Sequence, residues 1–226
     1  MIPAYSFPAI EIGSLSLPTY PLAHSLAYVA VGIIVLIEAK RRGADIKTVY
    51  NTLLLGFIGA IVGARIGGVI TDFDYFIANP SQVINLGSGG WTESGGFILS
   101  MILMVGYLRK VRFSILAFFD LAVAGLAARF AVSRFGCAAV HDHIGKEMVG
   151  NWPWGVEYDG AVRHETGLYS LFANAFIFII LWTMRKRMKT RGMLFVTYLF
   201  LYSISVFMIR FFRAEYLPFV SNERYY

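Results

Sequence analysis

Five apolar stretches, at 22–38, 52–70, 113–135, 168–184 and 193–212, each approach the roughly 20 residues that a helix needs to cross a bilayer core. A soluble domain of 226 residues has no use for five such segments, and a chain that is 57% hydrophobic and only 15% charged reads as a membrane protein. A sixth segment, 95–108, is shorter and follows the glycine-rich "GSGGWTESGG". Irregular backbone at membrane depth is tolerated only where protein covers it. The reading is an all-α integral membrane protein with about six transmembrane helices, a re-entrant glycine-rich loop and a surface loop acting as a lid on the outer side. It predicts a single transmembrane domain over 1–226, with 136–166 as an outer-face loop subregion.

Orientation follows from lysine and arginine in the short loops. Of the 20 basic residues, 12 lie in three loops: Lys40, Arg41, Arg42 and Lys47; Arg109, Lys110 and Arg112; and "RKRMKTR" at 185–191. The alternate loops, 71–94 and 136–166, carry only Lys146 and Arg163. With the basic loops in the cytoplasm, six spans put both termini outside. The net charge of +6 is then mostly membrane anchoring, and nucleic acid is not expected as a partner. With Lys40 as the first basic residue, no cleavable signal peptide is expected. A single cysteine excludes an intramolecular disulfide.

Other basic residues are not loop anchors. Arg65 in "GARIGG", Arg129 and Arg134 near the end of the fourth span, and Arg210 and Arg213 in "MIRFFR" lie within apolar stretches or at their edges. A charge at bilayer depth costs several kcal/mol, so each is a functional candidate. The alternatives are snorkelling or an ion pair with Asp120 or Glu38. Arginines directed at one outer cavity would suit a phospholipid headgroup, because the guanidinium fork matches two phosphate oxygens at once.

The candidate acids and bases lie in the expected outer loop. "VHDHIGKE" supplies His141, Asp142 and His143, and "VRHETGLY" supplies His164, Glu165 and Tyr169. The intervening "NWPWGVEYDG" has tryptophans of the interfacial type. A histidine beside a carboxylate suits proton transfer. His141 or His143 oriented by Asp142 is the first choice, and His164 with Glu165 the second. The same residue types could bind zinc, but no second ligand pair has the spacing of a zinc site, so no metal and no cofactor are expected. Cys137 is either a covalent nucleophile or a buried inert thiol. His24 is expected to be a hydrogen-bonded packing residue.

The order of these features resembles the prolipoprotein diacylglyceryl transferases. These bacterial inner-membrane enzymes move the diacylglyceryl group of phosphatidylglycerol onto a lipoprotein cysteine. "GARIGG" (63–68) resembles the family's glycine-arginine-glycine segment, and "SGGF" (94–97) its His-Gly-Gly loop. "RFGCAAVHDHIG" (134–145) resembles its signature, Arg-x-Gly-Asn followed by Asn-Gly-Glu and a later glycine. "RHETGLY" (163–169) resembles its Arg-His-Pro-Ser-Gln-Leu-Tyr run. The resemblance implies phosphatidylglycerol or a related anionic phospholipid as partner. It implies lipid or phosphate contacts from Arg65, Arg134, Gly136, Gly95, Gly96 and Tyr169, and the bacterial inner membrane as location; on charge and position, Arg129 or Arg210 is expected to help hold the phosphate.

Departures accompany the matches. Ser94 replaces the loop histidine, Cys137 and Val140 replace the signature asparagines, and Asp142 takes the place of its glutamate. By the "FFR" register, Val206 stands where the family has an arginine and Arg210 where it has a glutamate. Six spans are read here against the family's seven. The resemblance therefore implies a divergent paralogue that transfers a diacylglyceryl group to a lipoprotein thiol or another acceptor and releases glycerol phosphate. The alternative is a non-catalytic phospholipid-binding paralogue.

Overall fold

The computed structural model describes residues 7–13, 15–85, 89–150, 152–158 and 160–214. It divides into two compact units, one of Met1–Glu38 with Phe119–Tyr216 and one of Ala39–Phe118 with Leu217–Tyr226. Among the described residues, seven α-helices run in chain order: α1 Thr19–Arg41, α2 Ile46–Thr71, α3 Phe73–Ala78, α4 Glu93–Lys110, α5 Ile115–Val140, α6 Thr166–Met184 and α7 Met193–Arg210. Five of them, α1, α2, α5, α6 and α7, are long and apolar enough to cross a membrane. With the 18-residue α4, this agrees with a helical membrane protein of about six spans.

In the second unit, α2 begins at Asp45, whose carboxylate accepts from the amides of Lys47 and Thr48 and so satisfies two of the free N–H groups of the first turn. Gly59, Gly63 and Gly67 recur every fourth residue and form one face of α2. A Cβ at Gly59 would stand 2.7 Å from Ser100 Cα, and one at Gly63 would run into the carbonyl of Gly95. The backbones of α2 and α4 therefore approach as closely as only small residues allow, the packing mode available where lipid removes the hydrophobic drive between helices. Ser100 Oγ crosses this seam to donate to Gly56 O at 2.7 Å.

In the first unit, Val123, Ala124 and Ala127 of α5 pack with Ile177 and Leu181 of α6 and Leu194 and Tyr198 of α7. Two buried carboxylates hold this unit. Asp120 accepts from the amides of Gly192 at 2.6 Å and Phe195 at 3.0 Å, capping the start of α7 from α5. Glu38 accepts from Arg185 Nε at 2.7 Å, and that guanidinium lies over the Trp182 ring. The sequence left open an ion pair of these carboxylates with an intramembrane arginine; Asp120 instead caps α7, and Glu38 meets the loop arginine Arg185. Large apolar side chains such as Ile58, Ile66, Phe200 and Phe207 point outward, as a lipid-facing surface requires.

The expected outer loop is ordered differently from its reading as a loop. Helix α5 continues to Val140, and the rest forms an antiparallel sheet of β3 (Ile144–Glu147), β4 (Val156–Tyr158) and β5 (Ala161–Glu165), in the order β3-β5-β4. Near the start of the chain, β1 (Ala9–Ile12) and β2 (Leu15–Pro18) form a hairpin. Short strands separated by glycines carry too little apolar alternation to be recognised in sequence.

Asp120→Ala would leave two amides at the start of α7 without an acceptor. We expect a loss of about 1–3 kcal/mol, seen as a lower unfolding midpoint in detergent. An unchanged midpoint would contradict the capping role.

Candidate functional site

The site is built on the turn that ends α5. His141, the residue after Val140, adopts a left-handed conformation with φ +52°. A side chain there costs roughly 1–2 kcal/mol, which glycine would avoid. The turn reverses the chain, and the amide of Asp142 returns to Cys137 O at 3.4 Å. His143 is thereby laid beside Arg134, more than two helical turns back in sequence. Its carbonyl accepts from the Thr166 amide at 3.1 Å and from Thr166 Oγ1 at 2.7 Å. Its ring is held from both sides: Nδ1 meets Asp142 Oδ1, and Nε2 lies 2.6 Å from Arg134 Nη1. Arginine can only donate, so Nε2 is the accepting nitrogen and the ring proton sits on Nδ1, facing the carboxylate. Cys137 Sγ is 3.7 Å from the same Nη1.

His141 belongs to a separate pair. Its Nδ1 lies 2.8 Å from Oε2 of Glu165, which is fully buried, while Glu165 Oε1 accepts from Gly167 N at 3.2 Å and caps α6. The carboxylate, helix start and imidazole thus fix one another. Glu165 does not serve His164 as the sequence suggested, because successive residues of β5 point to opposite faces. Nor does Asp142 orient His141; it pairs with His143.

His164 instead bonds the Tyr169 hydroxyl through Nδ1 at 2.7 Å, with the Phe212 ring 4.9 Å away. The two line a cleft of about 560 Å³ together with Met148, Trp152, Trp154 and Phe212. Trp152 and Trp154 stack at 5.1 Å. Burial lowers the pKa of His164, which favours its neutral form.

The other expected lipid contacts have different surroundings. Arg65 donates to the carbonyls of Val83, Gly89, Asn85 and Gln82, with Phe76 and Trp91 around its guanidinium. Its donors are thus engaged with carbonyls of residues 82–85 and of Gly89, so it clamps backbone and does not present a free fork to phosphate. Gly95 and Gly96 lie in the first turn of α4, where a Cβ would meet Gly63 O or Ala60 O; they serve the seam with α2. Gly136 is likewise a packing position, with a Cβ there 2.6 Å from Ala23 Cβ. Arg129 donates to Tyr28 OH at 3.0 Å and lies over that ring. Arg210 is exposed at the end of α7. His24 bonds the Tyr20 carbonyl of its own helix at 3.0 Å.

The ligating atoms of Cys137, Asp142 and His143 lie within 4.8 Å of one another. A divalent cation among them would face the fixed positive charge of Arg134, which already contacts two of the three. The electrostatics suit an anion arriving at Arg134 better. Sequence reasoning missed Thr166 and Tyr28. The first sits where α6 begins and could have been flagged as a capping-type residue; the second gives no sequence signal beyond an aromatic in a span.

The folded protein disfavours a charged His164, so the stability this residue contributes is present above its unfolded value of about 6.5 and is lost as pH falls through the lower folded value. We expect its ring to titrate below 6.5 by histidine NMR, and His164→Gln to flatten the acid-side loss of stability. A midpoint at or above 6.5 would contradict the burial argument.

A family model described as prolipoprotein diacylglyceryl transferase matches residues 8–224. A protein of Clostridioides difficile (strain 630) named phosphatidylglycerol-prolipoprotein diacylglyceryl transferase is 30% identical over 212 residues, covering 92% of this chain and 84% of that protein. Similarly named proteins of Clostridium botulinum (strain Langeland) and Finegoldia magna are 27% and 28% identical, each across 92% of this chain and 85% and 84% of their own lengths. With a match that runs through both units and across the α5 turn, the chain belongs to the prolipoprotein diacylglyceryl transferase family.

Proposed function

We propose that this chain moves the diacylglyceryl group of phosphatidylglycerol onto a nucleophilic acceptor and releases glycerol phosphate. Beyond family membership, the observation that carries this reading is the line Arg134–His143–Asp142 at the end of α5, which sets a phosphate-matching cation against an oriented imidazole. Displacement at the glyceryl carbon builds negative charge on the departing phosphate. A fixed guanidinium aimed at those oxygens lowers the barrier more than it tightens ground-state binding. Arg134 takes that role, and Arg129, in the same unit, is a helper.

The acceptor, a lipoprotein thiol or another nucleophile, must lose a proton. His143 is the base, with Asp142 fixing its tautomer and stabilising the imidazolium that forms. His164, kept neutral by burial beside Tyr169 in the aromatic cleft, is the second candidate and faces the space that would receive the acceptor. His141 and Glu165 shape the turn. Arg65, Gly95, Gly96 and Gly136 support the site through packing, with Arg65 bracing the glycine-rich segment. Family membership supports a single membrane domain in the bacterial inner membrane, and the distribution of basic loops supports the site and both termini lying outside the cytoplasm.

The test is mass spectrometry of the purified protein incubated with phosphatidylglycerol and, in parallel, a lipoprotein signal peptide or a membrane extract. A diacylglyceryl adduct with released glycerol phosphate is expected, and Arg134→Gln should lower the rate by roughly 10²–10³-fold. Bound lipid without adduct or glycerol phosphate would leave a non-catalytic binder.

A further inference from the structure

Arg134 and His143 obstruct one another as placed. The lone pair of His143 Nε2 is the only one on the ring that can take a proton, because Nδ1 carries its hydrogen toward Asp142. That lone pair is occupied by Arg134 Nη1 at 2.6 Å. While the contact holds, the base cannot act and the guanidinium has committed one donor to a neutral nitrogen. The group that would anchor the phosphate is therefore also the plug on the base.

A phosphodiester offers Arg134 a better partner. Hydrogen bonds to an ionised acceptor are roughly twice as strong as those to a neutral one, and the guanidinium fork can engage two phosphate oxygens in parallel. His143 need not follow when Arg134 turns, since Thr166 holds its carbonyl through two hydrogen bonds and Asp142 holds Nδ1. Resting on the transferase reading, we propose that the donor's phosphate draws Arg134 off His143, so that the base is unmasked only when the lipid is seated.

The chemistry that follows balances. The acceptor gives its proton to His143 Nε2, and its lone pair forms a bond to the glyceryl carbon. The bond from that carbon to the phosphate oxygen breaks, and its electron pair leaves with glycerol phosphate as a second negative charge beside Arg134. The imidazolium, between Asp142 and the new dianion, returns its proton to the departing phosphate. Arg134 then falls back onto Nε2. The arrangement makes the donor bind productively before the acceptor is deprotonated.

Diethyl pyrocarbonate acylates an imidazole nitrogen only when its lone pair is free, and peptide mass spectrometry locates the adduct. Wild-type protein is placed in nanodiscs of phosphatidylcholine alone or with phosphatidylglycerol at pH 7, with His164 as internal reference. We expect His143 to label slowly in phosphatidylcholine and at least about 10-fold faster with phosphatidylglycerol, a shift of one decade in accessible lone pair. Arg134→Gln should label fast in both. Equal labelling of wild type in the two lipids, or slower labelling with phosphatidylglycerol, would overturn the proposal without any variant having to fold. Glycerol phosphate is assayed in the same samples after acceptor peptide is added. Release without the labelling response removes the plug and leaves the transferase; the labelling response without release sustains the displacement and removes the transferase.

Discussion

The left-handed residue at the end of α5 sets the geometry on which the site depends. A helix that ran on past Val140 would carry His143 away from Arg134, since residues nine apart lie about 13.5 Å apart along a helix axis. Reversal at His141 instead brings Nε2 within 2.6 Å of the guanidinium. The strain of a non-glycine residue in this conformation is offset by the bond from His141 to the buried Glu165 and by the cap that Glu165 gives α6. One turn thus ties the end of α5, the start of α6 and the reactive histidine into a unit.

The two structural units answer the same solvent constraint. Lipid offers no partner to a polar group, so buried charges must be satisfied within the protein. Asp120 meets the amides that open α7, Glu38 meets Arg185, and Arg65 meets a set of carbonyls in the segment before α4. Arg134 differs in kind. Its partners are a neutral imidazole and a thiol, both weaker than an anion. Unlike Arg65 and Arg185, Arg134 leaves a phosphate something to gain.

Much of this was legible in the sequence, unevenly. The spans could be read because bilayer thickness fixes helix length and because no soluble fold repeats 20-residue apolar runs. Residue types at the site could also be read, since arginine, histidine and aspartate crowd into 134–143. Their pairing could not. Which histidine meets which carboxylate depends on the backbone reversal at His141 and on the alternation of β5, and neither leaves a periodic trace. Arg65 shows another side of this. An arginine among glycines in a span suggested a ligand site, whereas the glycines admit α4 and the arginine clamps carbonyls that lie 17 to 25 residues further along the chain. Long-range backbone acceptors have no sequence signature.

Two of the departures from the family pattern, Cys137 and Asp142, lie together at the turn that ends α5. His143 and Asp142 form a proton-handling pair beside the retained Arg134, and His164 remains in its aromatic cleft. Such a set retains the elements that displacement at a glyceryl carbon requires: a cation for the leaving phosphate and a base for the acceptor. The most direct measurement is the distance from the Arg134 guanidinium to the lipid phosphorus, read by ¹⁵N–³¹P dipolar dephasing in arginine-labelled protein reconstituted with phosphatidylglycerol. We expect a contact of about 4 Å, the reach of a guanidinium-phosphate hydrogen bond, that disappears in Arg134→Gln. Dephasing that survives this substitution unchanged would place the headgroup at another arginine and contradict the account.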